Sequence, residues 1–291
     1  MTGGRKGVAD HLINPAKPFD TELETRRDCM RYVLMICLIL FPFSASGFSW
    51  TEAPKEKKVL FANASGLAAI TLWGVANWDY FSTAPCAKKE GWFGGGTKEG
   101  GADKLGHFYT SYALSHFLGH TYENWGYSQD QGLKLGTLSA FALMNGMELG
   151  DSFSDYGFSY EDFTMNALGC AAAYFIGSRP ELDKKIDFRV EYRPQFDTMD
   201  VFTDYDNLKF LAAIKLGGFD RVTHPLLKYL ELHLGYYARG FSPGSISERT
   251  LYAGIGINLS RILNDFSLKK LSTLTRFIQV PYSYIELDKS L

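Results

Sequence analysis

The sequence predicts an α+β protein, in which an N-terminal bundle of about four helices precedes an antiparallel sheet of about five strands. Before Pro180 the apolar residues recur at helical spacing in long segments, whereas after Pro180 they alternate with polar residues or glycine. An aromatic content of 15% together with 29 glycines is usual for β-proteins at membrane interfaces. The formal net charge of −2 produces no basic field, so nucleic acid is not expected as a partner.

An apolar segment near the N-terminus, residues 33–43, has the length of a signal-peptide core and is short for a transmembrane helix. Arginines precede it, and residues 44–47 form a small-residue cleavage site. Because a signal peptide normally begins within a few residues of its core, the simplest account places the true start at Met30 and discounts residues 1–29. An uncleaved N-terminal anchor is the alternative.

We predict three parts in the chain. Residues 1–47 are the leader and signal peptide, residues 48–180 form a helical domain, and residues 181–291 form an antiparallel β-rich domain. The sheet is expected to pack on the helices or to insert at a membrane. This organisation predicts an exported protein of the bacterial envelope.

The cysteines bear on how the protein is attached in the envelope. Cys86 and Cys170 remain in the mature chain, and a disulfide between them is left open because their Cα separation does not follow from sequence. Ile36 precedes Cys37, where lipidation requires a small residue. We therefore expect a protein exported by a signal peptide to the periplasm or outer membrane, and not a lipoprotein.

The predicted helices are rich in glycine, which favours close packing of helix backbones. The first helix is long enough to lie in or across a membrane, but Asn63 and Ser65 make a buried core helix equally consistent. Asp103 occupies an N-cap position, and Ser159 with Asp162 resembles a capping box. The four helices are predicted at residues 59–76, 102–124, 129–151 and 160–177.

The β-rich part has segments in which apolar and polar residues alternate, and this pattern has two interpretations. It is typical of outer-membrane strands, and equally of an antiparallel sheet with its apolar face on a core and its polar face in water. Five strands are few for a membrane barrel, which favours the second interpretation, with the helices covering the apolar face. The strands are predicted at residues 188–193, 208–217, 229–239, 251–260 and 277–285.

Polar residues are grouped near the ends of the last three predicted helices, at spacings that place each group on one helix face. If these helices pack together, carboxylates and a histidine converge on one pocket, where such groups bind a metal ion or perform general acid–base catalysis. No metal ligand is assigned, and no cofactor is predicted. The candidate catalytic residues are Asp103, His107, Glu148, Asp151 and Asp162, and the candidate binding residues are Lys104, Ser159 and Asn166.

Each of these residues also has a structural interpretation. Asp103 and Asp162 are suited to capping helices, and His107 to a hydrogen-bonded position in a core. Glu148 lies among apolar residues and needs a partner, for which Lys104 is the expected choice in a buried ion pair. The other helical histidines, His116 and His120, point away from His107 and are expected at an interface or on the surface.

Three spaced motifs carry a resemblance to a known family: Asp103-Lys104-x-x-His107, Glu148-x-x-Asp151 and Ser159-x-x-Asp162-x-x-x-Asn166-x-x-Gly169. They resemble the YfiM-like family of predicted periplasmic or outer-membrane proteins, a domain of unknown function, and more distantly the VanZ-like membrane proteins. The resemblance covers about residues 90–180, and short members of the family are lipoproteins. It implies an envelope location and a shared polar site, and it implies no reaction.

These observations lead to two functional hypotheses. The first is a membrane-associated envelope protein with a non-enzymatic structural or lipid- or glycan-binding role, because no recognised catalytic motif is present. The second is a hydrolase that acts on a lipid or cell-wall substrate through the His/carboxylate residues, which would require an open cleft and would fail if Glu148 were closed off against Lys104. The expected partners are membrane or envelope components. The oligomeric state is left open, with a homo-oligomer as the candidate.

Overall fold

Four long helices precede five strands along the chain, so the predicted α+β arrangement is confirmed. The computed structural model describes residue 50 and residues 52–193, 204–241 and 246–291. All of these residues belong to one unit, Gly47–Leu291. The predicted signal segment and the start at Met30 lie outside the described residues, and the predicted domain boundary at residue 180 stays a prediction.

The helices begin and end close to the predicted positions. The three that follow the first match their predicted ranges, while the first extends a few residues further toward the N-terminus. Two further short helices stand between the last two strands of the sheet. The helices are α1 (Lys55–Asn77), α2 (Ala102–Asn124), α3 (Gln129–Asp151), α4 (Tyr160–Gly177), α5 (Pro180–Asp183), α6 (Leu259–Asp265) and α7 (Lys269–Leu274).

The starts of α4 and α2 follow different local rules. Ser159 caps α4, because its hydroxyl accepts a hydrogen bond from the backbone N–H of Asp162 at 3.2 Å. The prediction that Asp103 caps α2 is wrong. The helix follows Gly101, which adopts a left-handed conformation with φ 90°, and Asp103 already lies in the first turn. Its carboxylate is therefore free to pair with a neighbouring side chain.

Helix α1 lies along the bundle with little of its surface buried, and Gly74 is its buried residue. Its contact with the bundle includes Asn63, whose amide donates hydrogen bonds to the Tyr122 hydroxyl at 3.2 Å and to the Ser139 hydroxyl at 2.9 Å. Among the described residues, α1 is the one helix that is long and apolar enough to cross a membrane, judged by length and composition. Since only 6% of its apolar segment is buried, the interpretation of α1 as a buried core helix is wrong.

Helices α2 and α3 pack backbone to backbone at a pair of glycines. A Cβ atom added at Gly136 would lie 2.3 Å from the backbone nitrogen of Gly119 and 2.6 Å from the carbonyl oxygen of Ser115. No larger residue fits at this point without moving one helix. The close approach accounts for glycine in a helix interior, where it costs about 1 kcal/mol of propensity relative to alanine.

We expect Gly136→Ala to lower the free energy of unfolding by about 1–3 kcal/mol, because overpacking outweighs the gain in helix propensity. Chemical denaturation of the purified protein in detergent measures the change. Gly96→Ala is the matched control, since a Cβ atom there would meet nothing within 4 Å. Equal stability of the two variants would contradict the backbone contact.

The five strands form one antiparallel sheet in the order of the chain. The predicted strand at residues 277–285 is wrong in its bounds, because the strand begins only at Tyr284. The segment before it instead joins the free edge of the first strand, where the N–H of Val190 donates to Phe277 O and the N–H of Gln279 donates to Val190 O. The strands are β1 (Ile186–Tyr192), β2 (Leu208–Lys215), β3 (Leu230–Arg239), β4 (Glu248–Ile257) and β5 (Tyr284–Ser290).

The sheet curls around its polar face. The hydroxyl of Tyr284 in β5 donates to Glu191 in β1 at 2.6 Å, although three strands separate them in the sheet. Across the same face, the guanidinium of Arg189 donates to Glu231 at 2.6 Å. The expectation that the polar face meets water is therefore wrong, because the curvature turns this face inward and its charges neutralise one another.

The apolar face of the sheet is divided into a covered and an exposed half. Strands β1 and β2 meet the helices, with the rings of Phe188 and Phe108 4.9 Å apart and those of Phe210 and Tyr109 6.2 Å apart. Tyr236 and Ala238 at the end of β3 also pack against Ala102, whereas the rest of the part formed by β3, β4 and β5 extends beyond the helices. We call this part the aliphatic face, and it consists of Leu232, Leu234, Leu251, Ile255, Ile257, Ile285 and Leu287, which are 41–81% exposed.

Candidate functional site

Lys104, in the first turn of α2, lies inside a cage of three carboxylates. Its ammonium group is 2.8 Å from Asp103 and 2.8 Å from Asp162, and it also contacts Glu90. The lysine is buried, so the three carboxylates replace the water that its charge would otherwise require. The predicted ion pair between Lys104 and Glu148 is wrong, because the nearer carboxylates already occupy the ammonium group.

His107 lies one turn further along α2 and faces a second set of groups. Its Nδ1 is 3.4 Å from Glu148 Oε1 and 3.2 Å from Asn166 Oδ1, and its Nε2 is 3.9 Å from Asp162 Oδ1. The three helix ends thus meet at this imidazole. The predicted convergence of α2, α3 and α4 on one polar site is the arrangement found.

The orientation of the imidazole follows from Asn166. The hydroxyl of Ser111 donates to Asn166 Oδ1 at 3.0 Å, which fixes that atom as an acceptor. A nitrogen of His107 that hydrogen-bonds the same oxygen must therefore carry the proton, so Nδ1 is protonated and Nε2 holds the lone pair in the neutral ring. Nε2 is the nitrogen that faces Asp162.

Burial and crowding of like charges set the protonation of the acidic groups. Burial, reinforced by the charges of Asp162 and Asp151, raises the pKa of Glu148 to about 9. Burial also raises the pKa of Asp151 to about 7. At neutral pH, Glu148 is therefore protonated and uncharged in this environment.

The groups around Lys104 respond to opposite influences. Burial disfavours the charge of Lys104, but Asp103 and Asp162 outweigh it, so the pKa of the lysine is raised. The pKa of Glu90 is lowered, because its hydrogen bond to Lys104 outweighs the effect of burial. The cluster therefore contains a fixed cation, held by three carboxylates, next to a protonated carboxyl group.

The structure brings together most of the predicted site residues and leaves others outside. Asp103, Lys104, His107, Glu148, Asp162 and Asn166 share one network, and the charges of Asp151 and Glu148 influence each other. Ser159 does not belong to this network, since its hydroxyl caps α4. Sequence reasoning missed Glu90, which precedes a glycine-rich stretch at residues 91–101 and lies in no segment of helical or strand periodicity by which to place it.

The other two histidines of α2 and the two cysteines that the structure describes do not join the site. His116 packs between the rings of Tyr112 and Phe277, and burial lowers its pKa to about 4. His120 is exposed beside Glu123. Cys86 is exposed and Cys170 is buried, and both are free thiols, so the disulfide that sequence left open is not formed.

Comparison with known proteins matches residues 89–178 to the family described as "Predicted periplasmic lipoprotein (DUF2279)". The match spans α2, α3 and α4 with their polar site, and it ends before the sheet. No curated protein and no solved structure matches the chain. The YfiM-like and VanZ-like resemblances stay predictions.

The description of the matched family corrects one prediction. The expectation that the chain is not a lipoprotein is wrong, because that family is described as a predicted periplasmic lipoprotein. The prediction rested on Ile36, the residue before Cys37, and therefore considered only one cysteine as a lipid attachment point. Cys37 itself lies outside the described residues. What the comparison supports is a periplasmic envelope domain of unknown function in residues 89–178.

Proposed function

We propose that the chain is a membrane-associated envelope protein with a lipid-binding role, and that the aliphatic face of its sheet is the lipid contact. The observation that carries this proposal is a reversal of faces: the sheet buries its charged side and exposes leucines and isoleucines. A sheet with one face in water normally does the opposite. Since full burial of one such side chain contributes about 1.5–3 kcal/mol, this face favours an apolar environment.

The aliphatic face is continuous across three strands. Leu232 of β3, Ile255 of β4 and Ile285 of β5 are neighbours in one row. Leu234 and Leu287 flank Ala253 in the adjacent row. Because these residues alternate with the buried polar set, no shift of the strands by one residue would bury them without exposing the charges.

An apolar groove runs from this face toward the helices. It has a volume of about 320 Å³, and its walls include Phe108, Met165 and Leu168 from the helices. Leu234 and Leu251 of the aliphatic face line it from the other side. A groove with apolar walls that opens onto an apolar face suits a hydrocarbon chain.

Two features near the face favour lipid over another occupant. Lys289 is exposed on the same side of β5 as Ile285 and Leu287, where its ammonium group can reach anionic headgroups. Helix α1 has the length and composition of a membrane span. Membrane lipid would thus meet the chain at two elements.

A local probe tests the lipid contact in the full chain. With the four native cysteines replaced by serine, a nitroxide label is attached at Ile255→Cys or Leu287→Cys and the protein is placed in anionic vesicles. We expect high accessibility to oxygen and low accessibility to a water-soluble nickel chelate at both positions, because oxygen concentrates in hydrocarbon. Electron paramagnetic resonance measures both accessibilities.

Ile246→Cys is the matched control, because Ile246 is 95% exposed and lies outside the aliphatic face. Its label should be accessible to the nickel chelate. High chelate accessibility at positions 255 and 287 as well would reject the proposal. Protection of both positions from oxygen and chelate alike would point to a second copy of the chain on this face and would also reject lipid.

A hydrolase acting on a lipid or cell-wall substrate is the second candidate, and one observation favours it. His107 lies 3.4 Å from Glu148 and 3.9 Å from Asp162, so a small approach would bring these groups within the roughly 2.6–3.2 Å that proton transfer requires. Glu148 is also not closed off against Lys104. Burial weighs against this candidate, since Glu148 is 1% exposed and Asp162 is 5% exposed, which leaves a substrate little access.

A further inference from the structure

We propose that His107, Glu148 and Asp162 form a binding site for a divalent transition-metal cation. One donor atom from each residue lies within 4.8 Å of the donor atoms of the other two. The three residues belong to α2, α3 and α4, so a bound cation would connect the ends of three helices. The proposal concerns a ligand of the helical part and is independent of the lipid contact on the sheet.

The donor atoms lie close together but not yet at the spacing of a bound metal ion. Asp162 Oδ1 is 3.9 Å from His107 Nε2, whereas Glu148 Oε1 is 3.4 Å from Nδ1, the other ring nitrogen, so the Glu148 side chain must rotate toward Nε2 for one nitrogen and both carboxyl groups to share a cation. Donor atoms arranged tetrahedrally about 2.0–2.2 Å from a zinc ion lie roughly 3.3–3.6 Å apart. The three donor atoms lie within 4.8 Å of one another, so side-chain rotations must shorten these separations to place all three around one cation.

Two buried oxygens in this site have no hydrogen-bond partner. They are Glu148 Oε1 and Asp162 Oδ1, the same atoms that face His107. Asp162 Oδ1 is close to Lys104, but the hydrogen bond from the lysine goes to the other oxygen, Oδ2. Asp162 Oδ1 already lies 2.8 Å from the ammonium group of Lys104, whereas Glu148 Oε1 has no such neighbour among the described residues. Because a buried carboxyl oxygen without a hydrogen-bond partner is costly, Glu148 Oε1 beside the imidazole points to a missing electrophile.

A second group of carboxylates nearby does not have this property. Glu90, Asp103 and Asp162 also lie within 4.8 Å of one another, but the ammonium group of Lys104 is bound among them. That group already has its cation. Glu148 adds a fourth acidic group to this cluster. Among the described residues, Lys104 is the one lysine or arginine that contacts the cluster. A second cation would therefore bind where acidic groups outnumber basic ones.

The donor set favours a transition metal. Calcium and magnesium prefer sites made of oxygen alone, whereas an imidazole with two carboxylates suits zinc or manganese. Asn166 supplies the outer support that such sites use, because its Oδ1 accepts from Ser111 and lies 3.2 Å from His107 Nδ1. This bond leaves Nε2 of the imidazole available to a metal.

Metal titration of the full chain tests the site. The protein is purified in detergent, dialysed against a chelator and titrated with Zn²⁺, with Mn²⁺ and with Mg²⁺ in separate calorimetric experiments. We expect one saturable site for Zn²⁺ and for Mn²⁺, with much weaker binding of Mg²⁺. His107→Ala and Glu148→Gln should each weaken the affinity at least 10- to 100-fold, the range seen even for residues that only support a ligand.

His120→Ala is the matched control, since His120 lies on the same helix, is exposed and pairs with Glu123. It should bind metal as the unaltered protein does. Circular dichroism establishes that each variant is folded, and the visible absorption of bound Co²⁺ should change in His107→Ala and persist in His120→Ala. Absence of saturable binding in the unaltered protein, or unchanged affinity in both His107→Ala and Glu148→Gln, would overturn the proposal.

Discussion

Replacing Arg189 with alanine is expected to lower the free energy of unfolding by about 3–5 kcal/mol, the cost of breaking a buried ion pair from one side. The guanidinium of Arg189 donates to both oxygens of Glu231, at 2.6 and 3.0 Å, and to Asp187 at 3.2 Å. All three residues are buried inside the curled sheet. Without the arginine, the charge of Glu231 retains only His233 at 2.8 Å as a close partner among the described residues.

Chemical denaturation in detergent measures this loss, and a double-mutant cycle identifies its cause. Arg189→Met combined with Glu231→Leu should be less destabilising than Arg189→Met alone. The double variant removes both charges of the pair, whereas the single variant leaves the buried carboxylate of Glu231 without its arginine. Lys134→Ala is the control, since Lys134 pairs with Asp130 on an exposed helix face and should cost less than about 1 kcal/mol. An Arg189→Ala protein as stable as the Lys134→Ala protein would contradict a stabilising ionic interior.

Glu148→Gln is expected to stabilise the metal-free protein at neutral and alkaline pH. Burial and the neighbouring acidic groups raise the pKa of Glu148 from its ordinary value of 4.5 to about 9. A carboxyl group whose pKa is higher in the folded state contributes fully to stability below pH 4.5, and it loses that contribution as the pH rises toward 9. At about 1.4 kcal/mol per pH unit, the loss at pH 7 is about 3 kcal/mol, which glutamine avoids.

The stability of both proteins, measured by denaturation between pH 4.5 and 9 in the presence of a chelator, checks this expectation. The unaltered protein should lose stability as the pH rises, and Glu148→Gln should lose less. Asp151, whose pKa is raised to about 7, leaves a residual slope of the same sign in both proteins. Glu123→Gln should follow the unaltered protein, because Glu123 pairs with His120 outside the site. Parallel plots of stability against pH for Glu148→Gln and the unaltered protein would contradict a raised pKa of Glu148.

The two results for Glu148→Gln distinguish a metal ligand from a structural residue. A variant that is more stable than the unaltered protein without metal, yet binds Zn²⁺ poorly, has lost a ligand while keeping its fold. A variant that is unstable at every pH would instead show that Glu148 supports the helices.

Much of the helical architecture could be predicted from local patterns. The ranges of α2, α3 and α4 follow from helical spacing, and the start of α4 follows from the hydroxyl of Ser159. The start of α2 at residue 102 was predicted correctly but its capping residue was not, because the turn depends on the left-handed conformation of Gly101 and not on the side chain of Asp103. The strand at β5 was misplaced because residues 277–279 pair with the opposite edge of the sheet, a contact that spans about 90 positions of sequence.

The candidate site could be predicted in its members but not in its pairing. Spacing placed Asp103, His107 and Glu148 near helix ends, and the helices do bring them together. Lys104 was paired with the wrong carboxylate, because Glu90 reaches it from a loop without periodicity. Which of several nearby carboxylates a lysine contacts depends on distances of a few ångströms, and these are set by the packing of whole helices.

The sequence by itself determined how apolar residues repeat along this protein. Their spacing is helical before Pro180 and alternating after it, and polar residues are grouped near helix ends. These features follow from the covalent geometry of helices and strands, which repeats over a few residues. Only the tertiary structure decided which side of the sheet is inside. Alternation is the same whether the charged or the aliphatic side is buried, and the choice came from Tyr284 and Glu191 meeting across a curled sheet. That closure turned Leu234 and Ile255 outward. The packing of α2, α3 and α4 separately placed His107 beside Glu148 and Asp162.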